Sequence, residues 1–121
     1  MTEKLPCVGR PRVMESAKFF EVADLEQLRV QEGKRYYEFL RVPVMSAGLY
    51  TLPADGTDPQ KPHKEDELYY VVHGHARMQV GDEHREVKTG TVIFVPAHLE
   101  HRFYSIKEEL SVLVFFAPAE S

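Results

Sequence analysis

The stretch PHKEDELYYVVHG, Pro62 to Gly74, decides how this chain is read. Its second half, ELYYVV, has the β-branched and aromatic make-up of a half-buried strand. Its first half is polar and places His63 and Glu67 four residues apart. In an extended segment alternate side chains share a face, so Lys61, His63, Glu67 and Tyr69 have common parity. The segment ADGTDPQKPHKED, Ala54 to Asp66, is the one long polar stretch of the chain, and polar loops of that length in a compact domain are often functional.

Outward from this stretch the texture stays β. From Arg35 onward, short runs rich in Tyr, Val, Phe and Leu are separated by Gly, Pro or charged pairs. The expected strands are 35–42, 44–52, 67–73, 75–80, 83–88, 91–95, 101–106 and 110–117, with a hairpin turning at Gly81-Asp82. Eight such strands suit a closed or nearly closed double sheet, which removes exposed edges. Before them, residues 1–34 read as an arm holding a short strand in AKFFEV and a short helix in ADLEQLRV capped by Asp24. The barrel is expected over 35–117, with 118–121 as a C-terminal tail. Expected inward residues are Met45, Ala47, Leu49, Met78, Val80 and Phe103.

Composition narrows the function. The chain has 121 residues, 43% hydrophobic and 28% charged, which is one globular domain able to bury its own core. A net charge of −4 with scattered Lys and Arg offers no track for a phosphate backbone, so no nucleic-acid partner is expected. The longest apolar stretch, Ser111 to Ala119, is far short of the roughly 20 residues that cross a bilayer, so no membrane partner is expected either. One cysteine, Cys7, and a start without signal-peptide character point to the cytoplasm.

His101, opening HRFYSI after the turn PAHLE, supplies a second imidazole from a different strand. Two imidazoles and a carboxylate match the set that holds non-haem Fe(II) with open positions, and Mn, Ni, Co or Zn accept the same donors. Chance pairing is the competing account, since six His and nineteen acidic residues make some His-x3-Glu pair ordinary.

The wider pattern separates the two accounts. PHKEDELYYVVHG and GTVIFVPAHLEH together resemble the two signature motifs of the cupin superfamily, G-x5-H-x-H-x3-4-E-x6-G and G-x5-P-x-G-x2-H-x3-N. The family's second histidine falls on His63, its glutamate on Glu67 and the closing glycine of the first motif on Gly74. In the second motif Gly90, Pro96 and His101 take the glycine, proline and histidine. The resemblance implies an all-β fold, a double-stranded β-helix (cupin, or jelly-roll) barrel of the small single-domain type, with one divalent metal ion on His63, Glu67 and His101.

The chain departs from the pattern at three places. Lys61 stands for the first histidine, His98 for the second-motif glycine and Ser105 for the asparagine. Lys61 is then either a solvated loop lysine or a group reaching into the cavity to hold an anion or fill the missing ligand's place. His98 is a substitute ligand or a surface residue, and His73, His75 and His84 read as solvated. Tyr69 either packs or bonds a ligand oxygen, which makes Lys61 and Tyr69 the catalytic candidates. The expected function is a metal-dependent enzyme, dioxygenase-like or acting on a carbonyl or enol of a small organic molecule. A non-catalytic binding or sensor module and a structural barrel are the alternatives. Because LSVLVFFA is apolar on both parities, a homodimer is expected, with residues 16–30 available for exchange.

Overall fold

The computed structural model describes residues 16–121. Cys7 and most of the expected N-terminal arm lie outside the described residues. Among the described residues one helix, α1 (Val22–Glu32), precedes six strands: β1 (Tyr36–Val42), β2 (Met45–Leu52), β3 (Asp66–Val80), β4 (Glu83–Lys88), β5 (Val92–Val95) and β6 (His101–Ala117). All pairings are antiparallel, in the order β1-β2-β6-β3-β4 with β5 also on β3.

Six strands replace the eight expected because two pairs of segments are continuous. The first half of β3 lies between β5 and β6, with Glu67 opposite Val95 on one side and Phe116 on the other. Its second half lies between β4 and the start of β6, with Met78 opposite Arg85 and Phe103. The β3–β6 ladder shifts register three times between Val71 and Arg77. At these irregularities both strands bend, through positive φ at Gly74 (115°) on β3 and Ser105 (49°) on β6. Gly74 is therefore a bulge inside one strand and not a turn between two. The hairpin at Gly81-Asp82 forms where expected.

The bent sheet closes on a core that includes Leu52, Tyr69, Val71, Met78, Phe103 and Ile106. Each such side chain removed from water contributes about 1.5–3 kcal/mol. Met78 and Phe103 are buried and Val80 packs beside them, as expected. Strand β2 has the opposite parity from that expected: Tyr50 and Leu52 join the core, whereas Ala47 and Leu49 are buried outside it. Helix α1 packs on β1 and β2 and buries Leu25, and β2 is buried on both faces from Ser46 to Leu52. Periodicity cannot rank two faces that are both covered.

The helix is longer than the turn or two expected, since packing against the sheet supports it. Asp24 lies in its first turn and does not cap it; Glu21 stands at the entry with no side-chain cap bond. Residues 16–21, where a short strand was expected, form none. On the outer face of β3 and β5, Leu68 pairs with Phe94 and Tyr70 with Val92, and all four are exposed.

Candidate metal centre

Three elements deliver the expected donors to one place. Glu67 sits near the start of β3, His101 opens β6, and His63 hangs from the loop before β3. Glu67 and His101 are each only 2% exposed. One donor atom from each of the three residues lies within 4.8 Å of the others. His101 Nε2 is 3.0 Å from Glu67 Oε1, and His63 Nε2 is 3.8 Å from the same oxygen. Neither Glu67 oxygen nor His101 Nε2 makes a hydrogen bond.

The surroundings fix which ring nitrogen faces inward. His101 Nδ1 lies 2.9 Å from the Leu99 carbonyl oxygen, which only accepts, so Nδ1 carries the hydrogen and donates it. The neutral ring then turns the Nε2 lone pair toward Glu67. His63 Nδ1 lies 3.4 Å from Glu120 Oε2, and its Nε2 lies 3.2 Å from Gln60 Oε1. Lone pairs converging in a buried space repel, and each polar group left unpaired there costs about 1–3 kcal/mol. A cation relieves both. Two imidazole nitrogens and a carboxylate fit a divalent Fe, Mn, Ni, Co or Zn ion. Burial opposes protonation of His101, but Glu67 and the Leu99 carbonyl outweigh it and hold the imidazole above its ordinary value. The setting that draws a proton would also draw a metal ion.

Beside these donors opens a cavity of about 210 Å³, walled by Tyr36, Tyr50, Pro59, Gln60, Val114 and Phe116 together with His63, Glu67 and Glu120. Drug-sized ligands occupy roughly 300–1,000 Å³, so any ligand here is smaller. The Tyr36 ring occupies the space where a side chain on Gly48 would stand, and the Tyr36 hydroxyl is buried without a partner.

Two of the expected candidates lie elsewhere. Lys61 is exposed and is not on the cavity wall; its neighbour Gln60 faces inward in its place. Tyr69 is fully buried behind the site, where its hydroxyl donates to Gln60 Oε1 at 2.9 Å. Burial and the nearby Glu67 carboxylate hold that phenol well above its ordinary pKa. Tyr69 is therefore a fixed hydrogen-bond donor and not a titrating group on the cavity wall.

His98 is exposed and outside the donor cluster, and its backbone N–H donates to the His63 carbonyl at 2.7 Å. His73 and His84 are exposed, while His75 is half-buried and lies 3.0 Å from Glu86. His98 and Ser105 both have positive φ, 69° and 49°. The motif's glycine and asparagine positions are thus left-handed backbone positions, where those residue types are least strained. His98→Gly is expected to stabilise the fold by about 0.5–1 kcal/mol in thermal or denaturant unfolding, with metal content unchanged.

Three residues of the site lay outside the sequence reading. Asp58 accepts from the Tyr50 hydroxyl at 2.7 Å, from Gln60 Nε2 at 2.8 Å and from the Phe103 N–H at 2.9 Å, tying the long loop to the barrel. Gln60 is oriented by that bond. Glu120 comes from the expected tail, which is pinned to the barrel. Its N–H donates to Ser46 Oγ, its carbonyl accepts from Arg41, and Ser121 N–H donates to Glu65. Burial raises the Glu120 carboxyl above the usual carboxylate range, against the pull of His63.

A short bent antiparallel barrel with a His-Glu-His cluster beside one cavity defines a class of small β-barrel proteins equipped to hold a metal ion. The family model for the Cupin domain matches residues 48–117, and the chain belongs to that family. It is 48% identical over 104 residues to an uncharacterised protein of Streptomyces coelicolor, covering 86% of this chain and 99% of that one. The Cnp3 cupin domain of Schizosaccharomyces pombe is similar in structure, with a TM-score of 0.63, 20% identity and 69% of this chain covered. The DMSP lyase DddQ of Ruegeria pomeroyi matches with a TM-score of 0.62, 19% identity and 72% of this chain covered. This chain spans 59% and 49% of those two chains respectively. Likeness at that identity is likeness of fold.

Proposed function

We propose that this chain is a mononuclear metal-dependent enzyme acting on a small, partly apolar organic molecule, with dioxygenase-like or other oxygen or carbonyl chemistry. The observation that carries this reading is the set of unpartnered acceptors on Glu67 and His101, buried beside an aromatic-walled cavity. A divalent ion on His63, Glu67 and His101 would supply a Lewis acid with open coordination positions, and with iron also a centre for O2 chemistry. The chain's own groups do the rest. Phe116 and Val114 exclude water from one wall, and the unpartnered Tyr36 hydroxyl is a donor for a ligand oxygen. Glu120, whose carboxyl burial favours the protonated form, is placed to hold or pass a proton at its Oε atoms. A cytoplasmic location belongs to this reading and rests on the single cysteine.

Metal analysis of purified protein, combined with O2 consumption and product detection against a panel of small ketones and organic acids, tests it. The expected result is about one ion per chain and turnover that His101→Ala abolishes. A metal-loaded protein that binds members of the panel and turns over none is a binding module, and the enzyme reading falls.

We also propose a homodimer joined through the outer face of β3 and β5. Exposed Leu68, Tyr70, Val92 and Phe94 lie side by side there and continue across β6 to Leu113 and Phe115. A contiguous apolar patch of this kind on a soluble domain marks an interaction surface. Light scattering should return about twice the 14.0 kDa of one chain, and Phe94→Glu should return the monomer mass. Parent protein at monomer mass at micromolar concentration would remove the dimer.

A further inference from the structure

We infer that Gln60 supplies a fourth donor, its side-chain carbonyl oxygen, to the ion held by His63, Glu67 and His101. The inference rests on the metal reading above and assigns to Gln60 the role that the motif gives to a histidine at position 61.

The orientation of the amide is determined by its neighbours. Gln60 Nε2 lies 2.8 Å from Asp58 Oδ2, an oxygen that only accepts, so the NH2 group points to Asp58 and the carbonyl oxygen points away. That oxygen accepts from the Tyr69 hydroxyl at 2.9 Å and lies 3.2 Å from His63 Nε2. His63 Nε2 thus faces this oxygen, while Nδ1, on the other edge of the ring, lies 3.4 Å from Glu120 Oε2. With its hydrogen on Nε2 the ring donates to this oxygen, and with its hydrogen on Nδ1 the two atoms are electron-pair donors 3.2 Å apart that one cation can take up together. With Nδ1 donating to Leu99, neutral His101 and Glu67 form a second such pair, Nε2 and Oε1 at 3.0 Å.

The spacing is that of a coordination shell. Donors bound at about 2.1 Å stand about 3.0 Å apart when 90° separates them and about 3.4 Å apart in a tetrahedron. Both 3.0 Å and 3.2 Å fall at such an edge. An amide oxygen has two lone pairs, so accepting from Tyr69 leaves one free. Tyr69 and Asp58 then act as positioning residues, one polarising the carbonyl and the other fixing the amide. Lys61, exposed and absent from the cavity wall, takes no part.

Co(II) titration, read by visible absorption and by competition with a chromophoric chelator, tests the assignment in the full chain. Gln60→Ala should weaken Co(II) binding at least 10-fold and change the absorption envelope. Gln60→Glu, which puts an anionic oxygen at the same place, should restore or tighten binding, whereas Lys61→Ala should stay within twofold of the parent. If Gln60→Ala binds within twofold of the parent while His101→Ala is crippled, Gln60 is not a ligand and the three-residue site stands. If Gln60→Glu is as weak as Gln60→Ala, the side chain serves only to position its neighbours and the assignment is overturned. Should His101→Ala bind like the parent, the metal reading itself fails.

Discussion

At a pH where His101 is neutral, Glu67→Gln is expected to make the metal-free protein more stable and to lower its metal affinity at least about 100-fold. Glu67 is 2% exposed and neither of its oxygens has a hydrogen-bond partner, so without a cation it is a buried carboxylate facing the lone pair of His101 Nε2 at 3.0 Å. An amide of the same shape can place its NH2 at that position and donate to His101 Nε2. One repulsion then becomes one hydrogen bond, and about 1–3 kcal/mol of stability is recovered. The cost falls on binding. An anionic ligand is lost, and changes even to the partners behind metal ligands cost 10- to 100-fold. Metal at 100 times its dissociation constant adds about 2.7 kcal/mol to a protein that binds it only when folded. In chelator, then, the variant should melt above the parent, and in excess Co(II) the order should reverse. Lower stability of Glu67→Gln in chelator would show that the carboxylate has a structural partner and is not held ready for a cation.

The second large effect concerns the bend of β3. Gly74→Val is expected to destabilise by about 4 kcal/mol, a fall in melting temperature of roughly 15 °C, or to prevent folding. At a φ of 115° a Cβ would stand 2.5 Å from the Glu109 carbonyl oxygen and 2.8 Å from Leu110 Cα, and both are backbone atoms of β6 that no side-chain rotation can move. The strained φ alone costs about 1–3 kcal/mol, and the contact adds to it. Gly90 separates the two contributions: its φ is 95°, but a Cβ there meets nothing within 4 Å. Gly90→Ala should lose only the backbone part, and Gly74→Ala clearly more. Equal losses, read from denaturant midpoints, would show that the β3–β6 approach at the bend is not tight.

The strand segments, the hairpin at Gly81-Asp82 and the cluster of His63, Glu67 and His101 were legible because they rest on local or regularly spaced signals. Alternation identifies strands, Gly-Asp tolerates the turn, and two motifs brought three polar residues into one frame. The same motifs fell on Gly74, which the structure explains as the place where β6 backbone leaves no room for a Cβ. Elsewhere, local pattern was misleading. Gly74 reads as a break between strands, but a ladder is defined by its partner, and β6 runs past it on one side throughout.

What the chain by itself determined is the class of fold and which three donor-bearing residues, His63, Glu67 and His101, come together, since strand periodicity and donor chemistry are properties of residue types and spacing. The tertiary structure alone decided which face of β2 is inward, because both faces are buried and both carry apolar residues. It also decided that Gln60, not Lys61, faces His63. In a loop without ladder hydrogen bonds parity carries no meaning, and the bond from Gln60 to Asp58, itself held by Tyr50 and Phe103, sets the direction. Glu120 entered the site for a related reason. Nothing local distinguishes a terminal glutamate from a solvated one until Ser46, Arg41 and Glu65, distant in the chain, bind the last two residues and turn its carboxylate toward His63.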